Sequence, residues 1–267
     1  VLFMVPGLAL FYGGMSRSKN MLNMLMMNMV CLGIVPIVWV VAGYTLSSAP
    51  SGTKLIGNFD HLFFNGVDLV AEDGSSPMLL AFFALTFAAI TPALISGAVA
   101  DRLKFSTWLV FVPVWLMLVF VPTWAWVFRG DNGLLSSRGS LDFAGGTVVH
   151  MAAGASSLAM VLVLGRRQGW QTEPILPHNL PFTMLGAGIL WFGWFGFNAG
   201  SALAVNEVAV QAFVNTFLAA AVAMVAWLVV EKVVDGHATS LGGASGIVAG
   251  LVGITPGAGF MGLAGAA

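Results

Sequence analysis

Charges cut this chain into long uncharged stretches, and nothing else in it constrains the fold as strongly. No Asp, Glu, Lys or Arg occurs in 20–53, 74–100, 105–128, 143–165, 174–206, 208–230 or 236–267, and a shorter apolar run fills 1–16. Each long window can hold a helix of about 20 residues, the length that crosses the hydrocarbon core of a bilayer. Hydrophobic residues are 58% and charged residues 8% of the chain, against roughly 45–50% and 25% in soluble domains. In lipid the backbone must satisfy its own hydrogen bonds, which a helix does within one segment. The expected class is an all-α integral membrane protein, a polytopic helix bundle.

The cations orient it. Arg17, Lys19, Arg102, Lys104, Arg166, Arg167 and Lys232 fall in alternate connections, whereas Lys54, Arg129 and Arg138 fall in the others. The positive-inside rule then puts the first connection in the cytoplasm and the N-terminal end outside. The leading segment lacks a basic n-region, so it reads as a helix end, not a signal peptide. A chain that opens at Val1 and stops at Ala267 in an apolar Gly/Ala stretch reads as part of a longer protein. The outer connection 50–76, rich in turn residues, is expected to be a solvated cap over the mouth.

Several function classes find no support. A net charge of −1 without a basic tract gives no sign of nucleic-acid binding. The single Cys31 reads as a buried small hydrophobe. There is no P-loop, no metal-ligand spacing and no nucleophile elbow, so neither cofactor, metal nor enzymatic chemistry is expected. Gly242, Gly246 and Gly250 form a double GxxxG ridge suited to helix contact. Pro92 and Pro113 are expected to kink their helices, and the tryptophans near segment ends (Trp108, Trp115, Trp124, Trp126, Trp191, Trp194) to serve as interfacial anchors or packing.

The chemistry-bearing stretch is Asp142-Phe143-Ala144-Gly145-Gly146-Thr147-Val148-Val149-His150. Ionisable groups at membrane depth are candidates for function. Asp142 stands where a helix begins, suited to accept N–H bonds of the first turn and also to favour a cation near the mouth. His150 lies about 12 Å deeper. It has no acidic neighbour to hold it charged, and a neutral ring offers one donor and one acceptor. Phe83 and Phe87, one turn apart, and Phe197 are core candidates that could also attract a cation or close a pore. Ser201, at a Gly-flanked helix end, can accept a hydrogen bond from a solute.

Phe11-Tyr12-Gly13-Gly14, Gly97 to Arg102, Asp142 to His150, Pro177-His178-Asn179-Leu180-Pro181 and Gly193 to Ser201 occur in this order. Together they resemble the ammonium transporter family (Amt/Mep, with Rh proteins as distant relatives), over the whole chain. The resemblance implies two inverted five-helix repeats, an eleven-helix fold of which this chain would carry part of helix 1 through helix 8, with a first repeat at about 1–165 and a partial second at about 178–267. It implies a homotrimer in the cell membrane with one pore per subunit and, in prokaryotic members, a PII-type regulatory protein at the cytoplasmic face. For the site it implies ammonium recruitment by Phe87, Ser201 and an aromatic at Phe128 or Trp126, supported by Asp142. Phe87 and Phe197 would form a gate, followed by deprotonation and passage of ammonia along a pore lined by His150, with methylammonium as an analogue. The family's vestibule Trp aligns with Phe128, and its second pore histidine would lie beyond Ala267. An ammonium sensor with the same ligand site, or an Rh-like conductor of another small neutral solute, are the alternative functions.

Overall fold

Each uncharged window becomes a helix in the computed structural model, which describes residues 1–267. Six helices are long and apolar enough to cross a membrane: α2 (Ser18–Ser48), α3 (Pro77–Val99), α4 (Phe105–Phe128), α5 (Gly146–Leu164), α6 (Leu180–Ala202) and α7 (Glu207–Asp235). Two shorter apolar helices, α1 (Met4–Met15) and α8 (Ser240–Ile254), complete the bundle, and one further helical turn spans Leu263–Ala266. There are no strands. The chain is a multi-pass, all-α membrane protein.

Local chemistry sets the helix starts. The Ser76 hydroxyl accepts from Leu79 N, Asn179 Oδ1 from Phe182 N, Asn206 Oδ1 from Ala209 N and Thr239 Oγ1 from Gly242 N, so each start satisfies an amide that no helical carbonyl can reach. α7 stops at Gly236, whose φ of 83° is a left-handed conformation that suits glycine.

The helices then close on one another where side chains are absent. A Cβ at Gly250 would lie 2.4 Å from Ala219 O, and one at Gly246 would lie 2.8 Å from Ala223 O. The ridge expected from the sequence is thus the contact face of α8 on α7. α1 and α6 meet as closely, since a Cβ at Gly186 would lie 2.4 Å from Phe11 N.

Three turns are wider than an α-helix: Trp39–Gly43 in α2, Leu116–Phe120 in α4 and Gly146–Met151 in α5. The first two begin three residues after Pro36 and Pro113. A wide turn inserts a residue into the ladder and re-aims the side chains beyond it. At Pro92 no wide turn follows, and the α-helix runs on to Ser96.

Two further expectations become more definite. The tryptophans serve mostly as internal packing: Trp108 is 0% and Trp194 2% exposed, and Trp108 Nε1 donates to Met27 O at 2.7 Å and Trp115 Nε1 to Ser156 Oγ at 2.9 Å. An indole N–H that bonds across to another helix gains more from burial than from an interfacial position. The 50–76 connection is largely exposed, as expected, and is also anchored. Arg129 donates through Nε, Nη1 and Nη2 to Ala49 O, Thr53 O and Ser51 O at 2.8–2.9 Å, pinning the segment after α2 to the end of α4. Phe64 packs edge-on against Tyr44 at 5.0 Å.

Candidate functional site

A cavity of about 430 Å³ opens where the ends of α2, α3, α4 and α6 meet the segment before α5; its wall includes Phe83, Phe87, Trp124, Phe128, Phe143 and Ser201. Helical spacing builds it. Phe83 and Phe87 are four residues apart on α3, as are Trp124 and Phe128 on α4, so each pair shares a face. Ser201 Oγ donates to Phe197 O at 2.7 Å, which commits its proton and leaves oxygen lone pairs to accept from a solute. None of the lining residues is ionisable at neutral pH.

The floor of the cavity is an aromatic pair. The Phe87 and Phe197 rings lie 4.3 Å apart at 39°, and both side chains are buried. Beyond Phe197 comes His150, its ring 5.7 Å from Phe197 at 20° and 5.3 Å from Trp194 at 21°. Trp194 is itself fixed, since its Nε1 donates to Thr255 Oγ1 at 2.9 Å. His150 Nε2 is buried and has no hydrogen-bond partner. The order cavity, Phe87–Phe197 pair, imidazole is thus continuous.

Asp142 is a contrasting group. Its Oδ1 accepts from Gly145 N at 2.8 Å and Gly146 N at 2.7 Å, and its Oδ2 from Thr147 N at 2.7 Å and Val148 N at 3.4 Å. Gly145 permits this wrap with a φ of 95°, a conformation that costs other residues strain. The cap also ties in the segment just after α8: Phe143 N donates to Pro256 O at 2.9 Å. Asp142 is 8% exposed and lies behind the wall residues Phe143 and Ala144, not in the cavity lining.

Of the residues singled out in the sequence, Phe87, Phe128 and Ser201 meet at the cavity, Phe87 and Phe197 stack, and His150 stands below them. Trp126 does not join them and is corrected here. Its Nε1 donates to Leu55 O at 2.9 Å, in the 50–76 connection. Two residues along a helix turn the side chain to roughly the opposite side, so Phe128 and Trp126 cannot both face the cavity. Trp124, four residues before Phe128, does face it, and the i, i+4 spacing is the signal that sequence reasoning passed over. The remaining histidines are held elsewhere by backbone carbonyls: His61 by Asn65, His178 by Ser16 and His237 by Asp235. No group of three His, Cys, Asp or Glu is placed to hold a metal ion.

A multi-pass helical bundle with an aromatic cavity set over a buried imidazole is the class that fold and site define. The chain belongs to the Ammonium Transporter Family, whose model matches residues 1–267. It is 48% identical to the ammonium transporter of Mycobacterium tuberculosis (strain CDC 1551 / Oshkosh), over 96% of this chain and 59% of that protein. It is 46% identical to the ammonium transporter of Bacillus subtilis (strain 168), over 98% of this chain and 64% of that protein. Among solved structures it superposes on Candida albicans Mep2 with a TM-score of 0.90 at 33% identity, covering 99% of this chain and 60% of the other. A structure described as a sensor Amt protein gives a TM-score of 0.91 at 30% identity, covering 99% and 67%. The chain thus spans 59% and 64% of the length of these two curated relatives.

Proposed function

We propose that the complete protein conducts ammonium across the membrane. The observation that carries this reading is His150 Nε2, buried and unpartnered directly beyond the Phe87–Phe197 pair. A buried polar nitrogen without a partner is costly, and a solute able to hydrogen-bond there offsets that cost. The relatives named ammonium transporters support ammonium and ammonia as the solute, with methylammonium as analogue.

In this mechanism the cation enters the cavity, where the faces of Phe87 and Phe128 attract it and Ser201 Oγ accepts one of its N–H bonds. Asp142 contributes a fixed negative charge behind the wall. The Phe87 and Phe197 rings move apart to pass the solute and close behind it. Ammonium gives up a proton at this passage, ammonia continues to His150, and the proton crosses with it by a separate route or returns. Potassium has no proton to shed, so an apolar passage rejects it. No covalent bond other than N–H is broken, and the protein acts as a transporter, not as an enzyme.

The same reading carries a division into inverted repeats at about 1–165 and 178–267, the N-terminal end outside, a homotrimer in the cell membrane, and a PII-type regulator at the cytoplasmic mouth. A second reading, an ammonium sensor with the same ligand site, draws on the likeness to the sensor Amt structure.

The test is current and labelled methylammonium uptake by the full-length protein in liposomes, compared with His150→Ala. Saturable uptake that ammonium competes for, and that His150→Ala abolishes or turns into unselective cation leak, is the expected result. Unchanged uptake and selectivity in the variant would overturn the role of His150. Binding without flux in the unmodified protein would favour the sensor.

A further inference from the structure

Three rings pack against one another where the Phe87–Phe197 pair gives way to the imidazole: His150, Trp194 and Phe197, with centroids 5.3–5.7 Å apart and planes 20–33° from parallel. Rings at that spacing orient one another, and the imidazole depends on it, because no residue of 1–267 bonds its Nε2. In the proposed passage Phe197 moves aside. Trp194 has a polar anchor: its Nε1 donates to Thr255 Oγ1 at 2.9 Å, and that hydroxyl donates in turn to Leu251 O at 2.7 Å. Thr255 is fully buried, so no solvent competes for either bond, and each strengthens the other. Thr255 directly follows α8, and its neighbour Pro256 is set against the helix that carries His150. Pro256 O accepts from Phe143 N at 2.9 Å, and a Cβ on Gly146 would lie 2.6 Å from the Pro256 ring. One dipeptide thus fixes the start of α5 and, through Trp194, a ring that faces His150.

We propose that Thr255 is a positioning residue for conduction: its hydroxyl holds the Trp194 indole, and the indole holds the His150 ring with Nε2 turned to the solute. This rests on the reading that ammonia is passed to His150. While Phe197 is displaced, Trp194 keeps its place beside the imidazole, so the orientation of Nε2 then depends on the one bond from Trp194 to Thr255. A supporting bond of this kind keeps a functional group in its productive geometry. Valine has the shape of threonine without the hydroxyl. It would leave the indole N–H buried with no acceptor, a costly state that the ring escapes by turning.

The experiment uses full-length protein with Thr255→Val, Thr255→Ser, Trp194→Phe and the double variant Thr255→Val/Trp194→Phe. Uptake of labelled methylammonium is measured in liposomes. The Trp194 indole N–H is followed by ultraviolet resonance Raman in detergent, as the difference from Trp194→Phe. Thr255→Val should lower the maximal rate by roughly 5- to 150-fold, the range for one buried N–H deprived of its acceptor. The half-saturation concentration should hold within about twofold, because the cavity contacts precede this step. The indole band should move to the position of an unbonded N–H. Thr255→Ser keeps the hydroxyl and should restore both band and rate. Trp194→Phe removes the same bond from the other side, so its loss and that of Thr255→Val should not multiply in the double variant. A folded Thr255→Val protein with the unmodified rate, whatever its thermal stability, would overturn the proposal, as would a loss that serine does not restore or losses that multiply. If Thr255→Val does not fold, Trp194→Phe decides: an unmodified rate there overturns the proposal and a loss upholds it. Absence of saturable flux in the unmodified protein would sink the transport reading and this inference with it, whereas flux indifferent to Thr255 would sink this inference alone.

Discussion

The segment leading into α5 and its first turns carry two ionisable side chains eight residues apart, in opposite circumstances. The Asp142 carboxylate accepts four backbone N–H groups. The His150 imidazole leaves Nε2 buried with nothing to bond. Both are expensive to place at membrane depth, but the carboxylate is compensated by its own neighbours, whereas no residue of 1–267 bonds the imidazole Nε2. A polar group whose bonds are complete is accounted for by the structure; one whose bonds are incomplete calls for a further partner, which the proposed function identifies as the solute.

Removing the satisfied group should do the most damage to the fold. Asp142→Ala orphans four amides at the start of α5. Bonds to a charged acceptor contribute about 1.5–3 kcal/mol each, so a loss of roughly 3 kcal/mol or more is expected, with Asp142→Asn intermediate. Thermal unfolding of the detergent-solubilised full-length protein measures it. An Asp142→Ala protein as stable as the parent would mean that the wide first turn can cap itself, and the contrast between the two residues would collapse.

Arg129, at the end of α4, is the cationic counterpart of Asp142, a charged group with three bonds to backbone carbonyls. Arg129→Ala should cost about 2 kcal/mol and free residues 49–53, seen as faster proteolysis in that segment. Arg129→Lys should recover little, because one ammonium cannot reproduce the planar fork. Equal protease resistance in all three proteins would show that the segment is held by Phe64 and Tyr44 instead.

The helices and the Asp142 cap were legible in the sequence, because charge spacing and N-terminal residue chemistry act locally. α7 shows where local reading stops. Its uncharged window ends at 230, yet the helix continues through Glu231 to Asp235. Glu231 is usable there because it accepts from Thr239 N at 2.9 Å and Thr239 Oγ1 at 2.7 Å, partners that only the return of α8 supplies. The wide turns were not legible either, since apolar residues fill them as they fill any membrane helix. Helical spacing puts Trp124, four positions before Phe128, on the face that Phe128 shares, and turns Trp126 away from it. The inward tryptophans depend on acceptors 41 to 81 positions distant, as for Trp115 and Trp108, and no local pattern announces those.

His150→Ala sharpens the comparison from the other side. Its Nε2 has no bond to lose, so stability should change by no more than about 1 kcal/mol while selective ammonium conduction is lost. A large fall in the melting temperature would show that the ring's stacking on Trp194 and Phe197 is structural, and would weaken the case for a solute site.

The smallest effect lies in the 50–76 connection, where a carboxylate is satisfied but exposed. Asp73 Oδ1 accepts from Ser75 N at 2.9 Å, and the hydrogen bonds from Ser75 hold the Asp73 carboxyl below its ordinary value of 3.8. A carboxylate whose folded value is depressed adds order above the unfolded value and loses it as pH falls through the folded one. Residues 73–75 should therefore keep one conformation from neutral pH down to about 4, near the reference carboxylate value, and loosen below it. Amide exchange at Ser75, corrected for the intrinsic effect of pH, should show protection that fades only in that acid range and is absent throughout in Asp73→Ala. Fading near neutral pH would assign the change to a histidine such as His61 instead. Solvent competes for every bond that Asp73 makes, so its loss should leave Asp142, eight percent exposed on the same carboxylate chemistry, undisturbed.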